Sequence, residues 1–173
     1  MANYKELLKH INTFIFDYDG VLTDGSVVTT NDGEAYRISS VKDGYALQLA
    51  AKKGYKVAVI SGARSEAMRH RMKALLITDV FMGIEKKSET FREYMENHGL
   101  KPQNILYMGD DIPDYEVMKM ASVSACPADA AEEIKAVAHY ISHLNGGKGC
   151  ARDVIEQVLK VQGKWMNDDA YHW

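Results

Sequence analysis

Asp17 and Asp19 stand two positions apart, followed by Gly20, at the end of the apolar run Phe14-Ile15-Phe16. Residues i and i+2 of an extended chain project to the same side, so both carboxylates aim at one place. Two carboxylates held together repel one another, and a cation between them relieves the repulsion; Mg2+ is a hard ion suited to oxygen ligands. Alone, the pattern is equally a strand that stops in an acidic turn. Further along, Ser61-Gly62 closes a second apolar run, and Lys86-Lys87 precedes a helical stretch. A third apolar run ends in Gly109-Asp110-Asp111-Ile112-Pro113-Asp114. A nucleophile or ligand pair, a hydroxyl, a lysine and a second acidic pair are the parts phosphoryl transfer needs. A metal and a lysine hold phosphate oxygens, and a carboxylate attacks to form an aspartyl-phosphate. Without a cation, Asp17, Asp19, Asp110 and Asp114 would repel a phosphate dianion, so charge balance calls for Mg2+.

These residues meet only if the elements carrying them end at one edge. The run at 14–16 reads as a buried strand. Ser26 to Ser40, with β-branched Val27 to Thr30 and the turn Asn31-Asp32-Gly33, reads as a β-hairpin inserted after it. A helix is expected over 43–53 with Gly54 behind it, then a strand at 56–60 and a helix over 65–75. A short strand at 80–82 and a turn over 83–87 lead to a helix at 88–98 that stops at Gly99. A strand at 104–108 precedes a helix begun by Pro113 and running to Ala121. Val123 to Ala125 is strand-like, Asp129 with Glu132 spells a capping box, and Tyr140-Ile141 is a candidate last strand. The turn Asn145-Gly146-Gly147-Lys148-Gly149 leads to a helix over 151–162 and a tail from Lys164 holding Trp165 and Trp173. Strands alternating with helices imply βαβ units: an α/β, Rossmann-like three-layer sandwich around a central parallel sheet. Ligands of such sheets sit at the carboxyl ends of the strands, where Asp17/Asp19, Ser61 and Asp110/Asp114 fall.

At 173 residues the chain is expected to form one domain with a real core. A formal net charge of −3 gives no electrostatic case for nucleic acid or an anionic membrane as partner. Cys126 and Cys150 lie far apart with no metal-type pairing, as in a reduced cytoplasmic protein. Met1 to His10 holds no apolar segment of signal-peptide length, and no stretch approaches the roughly 18 to 20 apolar residues that span a bilayer.

Two aspartate-based folds carry these parts. A receiver domain, a signalling module phosphorylated on aspartate, has its acidic pair early and its phospho-accepting aspartate on a middle strand. Here the DxD ends the first strand, and the lysine precedes the second acidic cluster. Asp17-Tyr18-Asp19-Gly20-Val21-Leu22-Thr23-Asp24-Gly25, Ile60-Ser61-Gly62, Lys87 and Gly109 to Asp114 resemble, in order, the four motifs of the haloacid dehalogenase superfamily. The Thr23-Asp24-Gly25 triplet and the Gly146-Gly147-Lys148-Gly149 turn are similar to those of its capless 3-deoxy-D-manno-octulosonate 8-phosphate phosphatases, over about residues 12–160.

That resemblance implies a Mg2+-dependent phosphatase of lipopolysaccharide biosynthesis acting on a phosphosugar acid. In it, Asp17 is the nucleophile and a Mg2+ ligand. Asp19 is general acid for the leaving alkoxide and then base for water, and its backbone carbonyl ligates the metal. Ser61 and Lys87 hold phosphoryl oxygens, with Gly62 beside them. Asp110 ligates Mg2+, while Asp114 and Asp111 stand behind as a second layer. The single domain (1–173) would hold the hairpin insertion (26–40) and the tail (164–173) but no cap domain. An open site is then closed by neighbouring subunits, the family being tetrameric. Leu75-Leu76-Ile77 departs from the family's Leu-Gly-Ile, and Pro113 from its Asn-containing fourth motif. Rival readings are a phosphatase for a nine-carbon 2-keto-3-deoxy sugar-acid 9-phosphate and a non-catalytic phospho-accepting module.

Weaker signals surround these. Arg64 and Arg71 could pair with a substrate carboxylate, Arg64 being the nearer to a strand end. The glycine turn is no P-loop, and His139 and His143, four apart, have no third ligand nearby. The basic stretch 69–73 reads as a solvated helix face.

Overall fold

The computed structural model describes residues 4–173. In chain order its elements are α1 (Tyr4–Leu8), β1 (Thr13–Phe16), β2 (Val28–Thr29), β3 (Ala35–Tyr36), α2 (Val41–Lys52), β4 (Lys56–Ser61), α3 (Glu66–Ala74), β5 (Asp79–Met82) and α4 (Lys87–His98). Then follow β6 (Ile105–Met108), α5 (Tyr115–Met120), β7 (Val123–Cys126), α6 (Glu132–Lys135), β8 (Tyr140–Ile141) and α7 (Cys150–Val161). Every residue of β1, β6 and β7 is buried, as strands covered on both faces require. Six strands form one parallel sheet in the order β5-β4-β1-β6-β7-β8. The chain builds outward from β1 to β5, then crosses back to lay β6 on the other side of β1. Between β1 and β6 the winding therefore reverses, and at such a point the flanking loops splay apart to leave a crevice. Phe16 pairs with both Val59 and Met108, so Asp17 and Asp110 leave the sheet at nearly one level, with Ser61 close by.

Side-chain alternation divides the core. Phe14 and Phe16 pack with α1, α2, α3 and α7, whereas Ile15 and Tyr107 pack with α4, α5 and α6. This is the three-layer architecture expected from the sequence. Between β1 and α2 lies only the antiparallel pair β2–β3, and between β4 and β5 only α3, so neither connection holds a cap domain. The hairpin closes through Asn31-Asp32-Gly33, but each of its strands is two residues long.

Several local expectations shift. Lys87 is the first residue of α4 rather than the last of a turn. Pro113 lies in a 3-10 turn, Ile112–Asp114, ahead of α5. The capping box of Asp129 and Glu132 does not form, because α6 is capped by Ala131 and Asp129 Oδ1 accepts from Gly146 N–H at 2.9 Å. A long-range donor outcompetes the local one. Leu76 sits at φ +64°, a conformation glycine adopts freely, so the Leu-Gly-Ile departure leaves strain at the end of α3. The tail folds onto α2 and α7 of its own chain. The Arg152 guanidinium lies 5.6 Å from the Tyr45 ring and 5.5 Å from that of Trp165, and the Tyr45 hydroxyl donates to the Ala170 carbonyl. The Trp173 ring meets that of Tyr45 edge-on at 5.6 Å.

Candidate active site

Asp17, the first residue beyond β1, has its N–H bonded to the Met108 carbonyl at 2.9 Å, which locks it beside β6. Lys87, buried at the start of α4, places Nζ 2.8 Å from Asp17 Oδ1 and 2.7 Å from Asp114 Oδ1. Tyr107 donates its hydroxyl to that same Asp114 oxygen, and Asp114 Oδ2 accepts from Asp110 N–H at 3.2 Å. Asp114 is thus fully engaged, and it fixes Lys87 on one side and the Asp110 backbone on the other. Carboxylate oxygens of Asp17, Asp110 and Asp114 lie within 4.8 Å of one another. A side chain at position 20 would put Cβ 2.0 Å from Asp110 Oδ2, so only glycine admits the Asp110 carboxylate here.

One cation does not neutralise this cluster. Burial first, and then the Asp114 charge, raise Asp17 to about 6 despite the opposing pull of Lys87. Burial, followed by Asp17 and Asp114, raises Asp110 to about 8. Asp110 Oδ1 is buried with no hydrogen-bond partner among the described residues. An orphaned carboxylate oxygen beside two further carboxylates is a donor set that fits a hard divalent cation, with Asp17 and Asp110 as the residues able to hold it.

A cleft of about 400 Å³ opens over this cluster, lined by Asp17, Asp19, Ser61, Gly62, Lys87 and Asp110 among others. Ser61 Oγ accepts from Ala63 N–H at 3.1 Å, which leaves the hydroxyl proton free to donate. Asp111 lines the rim but spends Oδ1 on Ile112 N–H at 2.8 Å. Arg64 and Arg71 are not among the residues lining the cleft: the Arg64 guanidinium lies across Gly83, just behind the lining residue Ala63, and that of Arg71 lies against Gly44. His139 bonds Ser124 at 2.8 Å, and His143 stands exposed 3.7 Å from Asp153.

Three features escaped the sequence reading. Arg37, on the hairpin, donates Nε–H to Asp19 Oδ1 at 2.6 Å. Tyr107 has the apolar neighbours of any core strand, and nothing in its pattern announces a hydroxyl aimed at Asp114. The glycine turn braces the loop behind Asp19: Gly147 N–H donates to the Val21 carbonyl at 2.9 Å. A Cβ on Gly146 would fall 1.9 Å from the Gly20 carbonyl oxygen.

The fold and this acidic crevice define a haloacid dehalogenase-like hydrolase, and the sequence profile of that family matches residues 77–152. The 3-deoxy-D-manno-octulosonate 8-phosphate phosphatases KdsC of Salmonella typhi and Escherichia coli K12 are each 34% identical over 156 residues, 90% of this chain and 83% of theirs. The crystal structure of such a phosphatase from Moraxella catarrhalis, in complex with magnesium, phosphate and KDO, superposes with a TM-score of 0.92 at 30% identity. It covers 99% of this chain and 97% of that one. A cobalt-bound relative from Haemophilus influenzae gives 0.90 at 30% identity, over 95% of this chain and 98% of its own. The chain belongs to the 3-deoxy-D-manno-octulosonate 8-phosphate phosphatase family of phosphoric monoester hydrolases.

Proposed function

We propose that this protein is a Mg2+-dependent phosphatase that hydrolyses 3-deoxy-D-manno-octulosonate 8-phosphate through a phospho-Asp17 intermediate. The observation that carries the reading is the convergence of Asp17, Lys87 and Asp110 around the unpartnered Asp110 oxygen, in a chain so like a relative bound to magnesium, phosphate and KDO. Asp17 attacks phosphorus as the bond to the sugar oxygen breaks, and the electron pair goes to that oxygen. Asp19 supplies the proton the alkoxide needs, then takes one from the water that cleaves the acyl phosphate. Lys87 steadies Asp17 and meets a phosphoryl oxygen, and the Ser61 hydroxyl donates to another. Asp17, Asp110 and the Asp19 carbonyl would hold Mg2+, which neutralises phosphoryl charge and so permits the dianion to approach carboxylates.

The site is open in a single chain, and Val28, Tyr36 and Ile38 of the hairpin are exposed apolar residues. Both features suit a tetramer in which neighbouring subunits complete the site, and a phosphosugar acid as substrate suits a cytoplasmic place in lipopolysaccharide synthesis. No helix among the described residues is long and apolar enough to cross a membrane.

A phosphate-release panel over eight- and nine-carbon 2-keto-3-deoxy sugar-acid phosphates, with and without Mg2+, tests the reading. The eight-carbon substrate is expected to lead, by a margin limited to about 10- to 200-fold for a one-carbon difference. A nine-carbon preference would overturn the substrate, and turnover in EDTA would overturn the metal. Asp19→Asn should abolish turnover with the fold intact; full activity in that variant would remove Asp19 from the chemistry.

A further inference from the structure

The residues of both hairpin strands are exposed, yet Arg37, next in line after β3, has a side chain only 12% accessible. It turns back into the cleft mouth, where Nε–H reaches Asp19 Oδ1 at 2.6 Å and an Nη1 proton is donated to the Ala35 carbonyl at 3.3 Å. The second bond ties the guanidinium plane to the hairpin's own backbone. Thr23 approaches the same Asp19 oxygen. Its buried Oγ accepts from Gly20 and Gly25 N–H groups, both at 3.3 Å, and stands 3.5 Å from both Asp19 Oδ1 and the Tyr18 carbonyl oxygen, which compete for its one proton. Asp19 Oδ2 has no hydrogen-bond partner among the described residues, although Asp19 lines the cleft.

Resting on the proposed phosphatase reading, we infer that Arg37 is the positioning residue for Asp19. It holds Oδ1 so that Oδ2 alone faces the reacting groups. A guanidinium keeps its protons at any working pH, so Arg37 orients the carboxyl without competing as a proton donor. In the first half-reaction the phosphoryl group passes to Asp17, the P–O bond electrons go to the sugar oxygen, and the proton on Asp19 Oδ2 moves to that oxygen. A carboxyl free to rotate would present the wrong oxygen, or none, at that moment. General-acid groups contribute about 10²- to 10⁴-fold when well placed, and part of that belongs to placement.

The test exploits the leaving group. A sugar alkoxide needs the proton, whereas p-nitrophenolate departs without one. Because kcat/KM reports events only as far as departure of the leaving group, the later role of Asp19 as a base does not enter. For Arg37→Gln we expect kcat/KM with 3-deoxy-D-manno-octulosonate 8-phosphate to fall roughly 10- to 100-fold, mainly through kcat, with p-nitrophenyl phosphate changed less than about twofold. Arg37→Lys should recover part of the loss, since an ammonium replaces the charge but not the fork. An equal fall on both substrates, or no fall on either, overturns the inference. Should the wild-type protein reject the octulosonate phosphate, the substrate reading fails instead. The same comparison on whichever alkyl phosphate it accepts still decides Arg37.

Discussion

Replacing Lys87 by methionine, which fills similar space without charge, should expose how much of this site is held together by one ammonium. The Lys87 side chain is 5% accessible, and its partners Asp17 and Asp114 are 8% and 1% accessible. Removing one member of a buried ion pair costs about 3–5 kcal/mol, because the charge left behind keeps its desolvation penalty. For a domain of this length, each kcal/mol moves Tm by about 2–4 °C, so the ion-free variant should melt about 6–20 °C below wild type. That gap depends on pH, and the sign is fixed by the direction of the shifts. Asp17 and Asp110 titrate at about 6 and about 8 in the fold, above an ordinary carboxyl near 4. The folded state therefore holds protons that the unfolded chain has lost, and its stability declines as pH rises through that window, by at most about 1.4 kcal/mol per unit for each group. Without Lys87 the window extends upward. Thermal melts in EDTA should show the full gap near roughly pH 8 and only a few degrees near roughly pH 5, where the carboxyls take up protons instead. Millimolar Mg2+ should close part of the gap at the higher pH by restoring positive charge beside Asp17. A gap that ignores pH, or its absence in EDTA at the higher pH, would refute the view that Lys87 opposes the burial that raises Asp17 and Asp110.

Gly146→Ala would force Cβ to 1.9 Å from the Gly20 carbonyl oxygen, so we expect a loss of about 1–3 kcal/mol in urea unfolding and at least a tenfold fall in kcat; wild-type activity would show that the brace is dispensable. Asp43, 1% exposed, caps α7 by accepting from Gly149 N–H at 3.1 Å and Arg152 N–H at 2.8 Å. Asp43→Ala should cost about 1–3 kcal/mol, and Asp43→Asn less, in the same unfolding measurement. Leu76→Gly should raise Tm: relief of a left-handed conformation, about 1–2 kcal/mol, exceeds glycine's backbone entropy cost, and the side chain given up is 56% exposed.

Apolar runs ending in acid were legible because burial and chemistry act there on neighbouring residues. Phe14 to Phe16 had to be a covered strand, and a covered strand must release Asp17 at a sheet edge. What stayed hidden depends on contacts across many positions. Arg37 reads as one more strand residue, and only the path of the hairpin brings it to Asp19, 18 positions earlier. Asp129 shows the mirror image of this. Its capping-box spacing is real, but Gly146 N–H, 17 positions away, supplies a competing partner.

The same contrast accounts for how the charges are arranged. Asp17 and Asp110 end adjacent parallel strands, so the sheet itself forces two carboxylates together whatever their energies. The protein's own cations come from elsewhere: Lys87 from the start of α4 reaches Asp17, and Arg37 from the hairpin reaches Asp19. Lys87 is committed to Asp17 and Asp114, and Arg37 to Asp19, which leaves Asp110 Oδ1 without a hydrogen-bond partner among the described residues. A further lysine there would satisfy the fold and close the position where the phosphoryl charge must be met. The fold is left incomplete at Asp110, and on the proposed reading that is where the metal and the phosphoryl group would be met together.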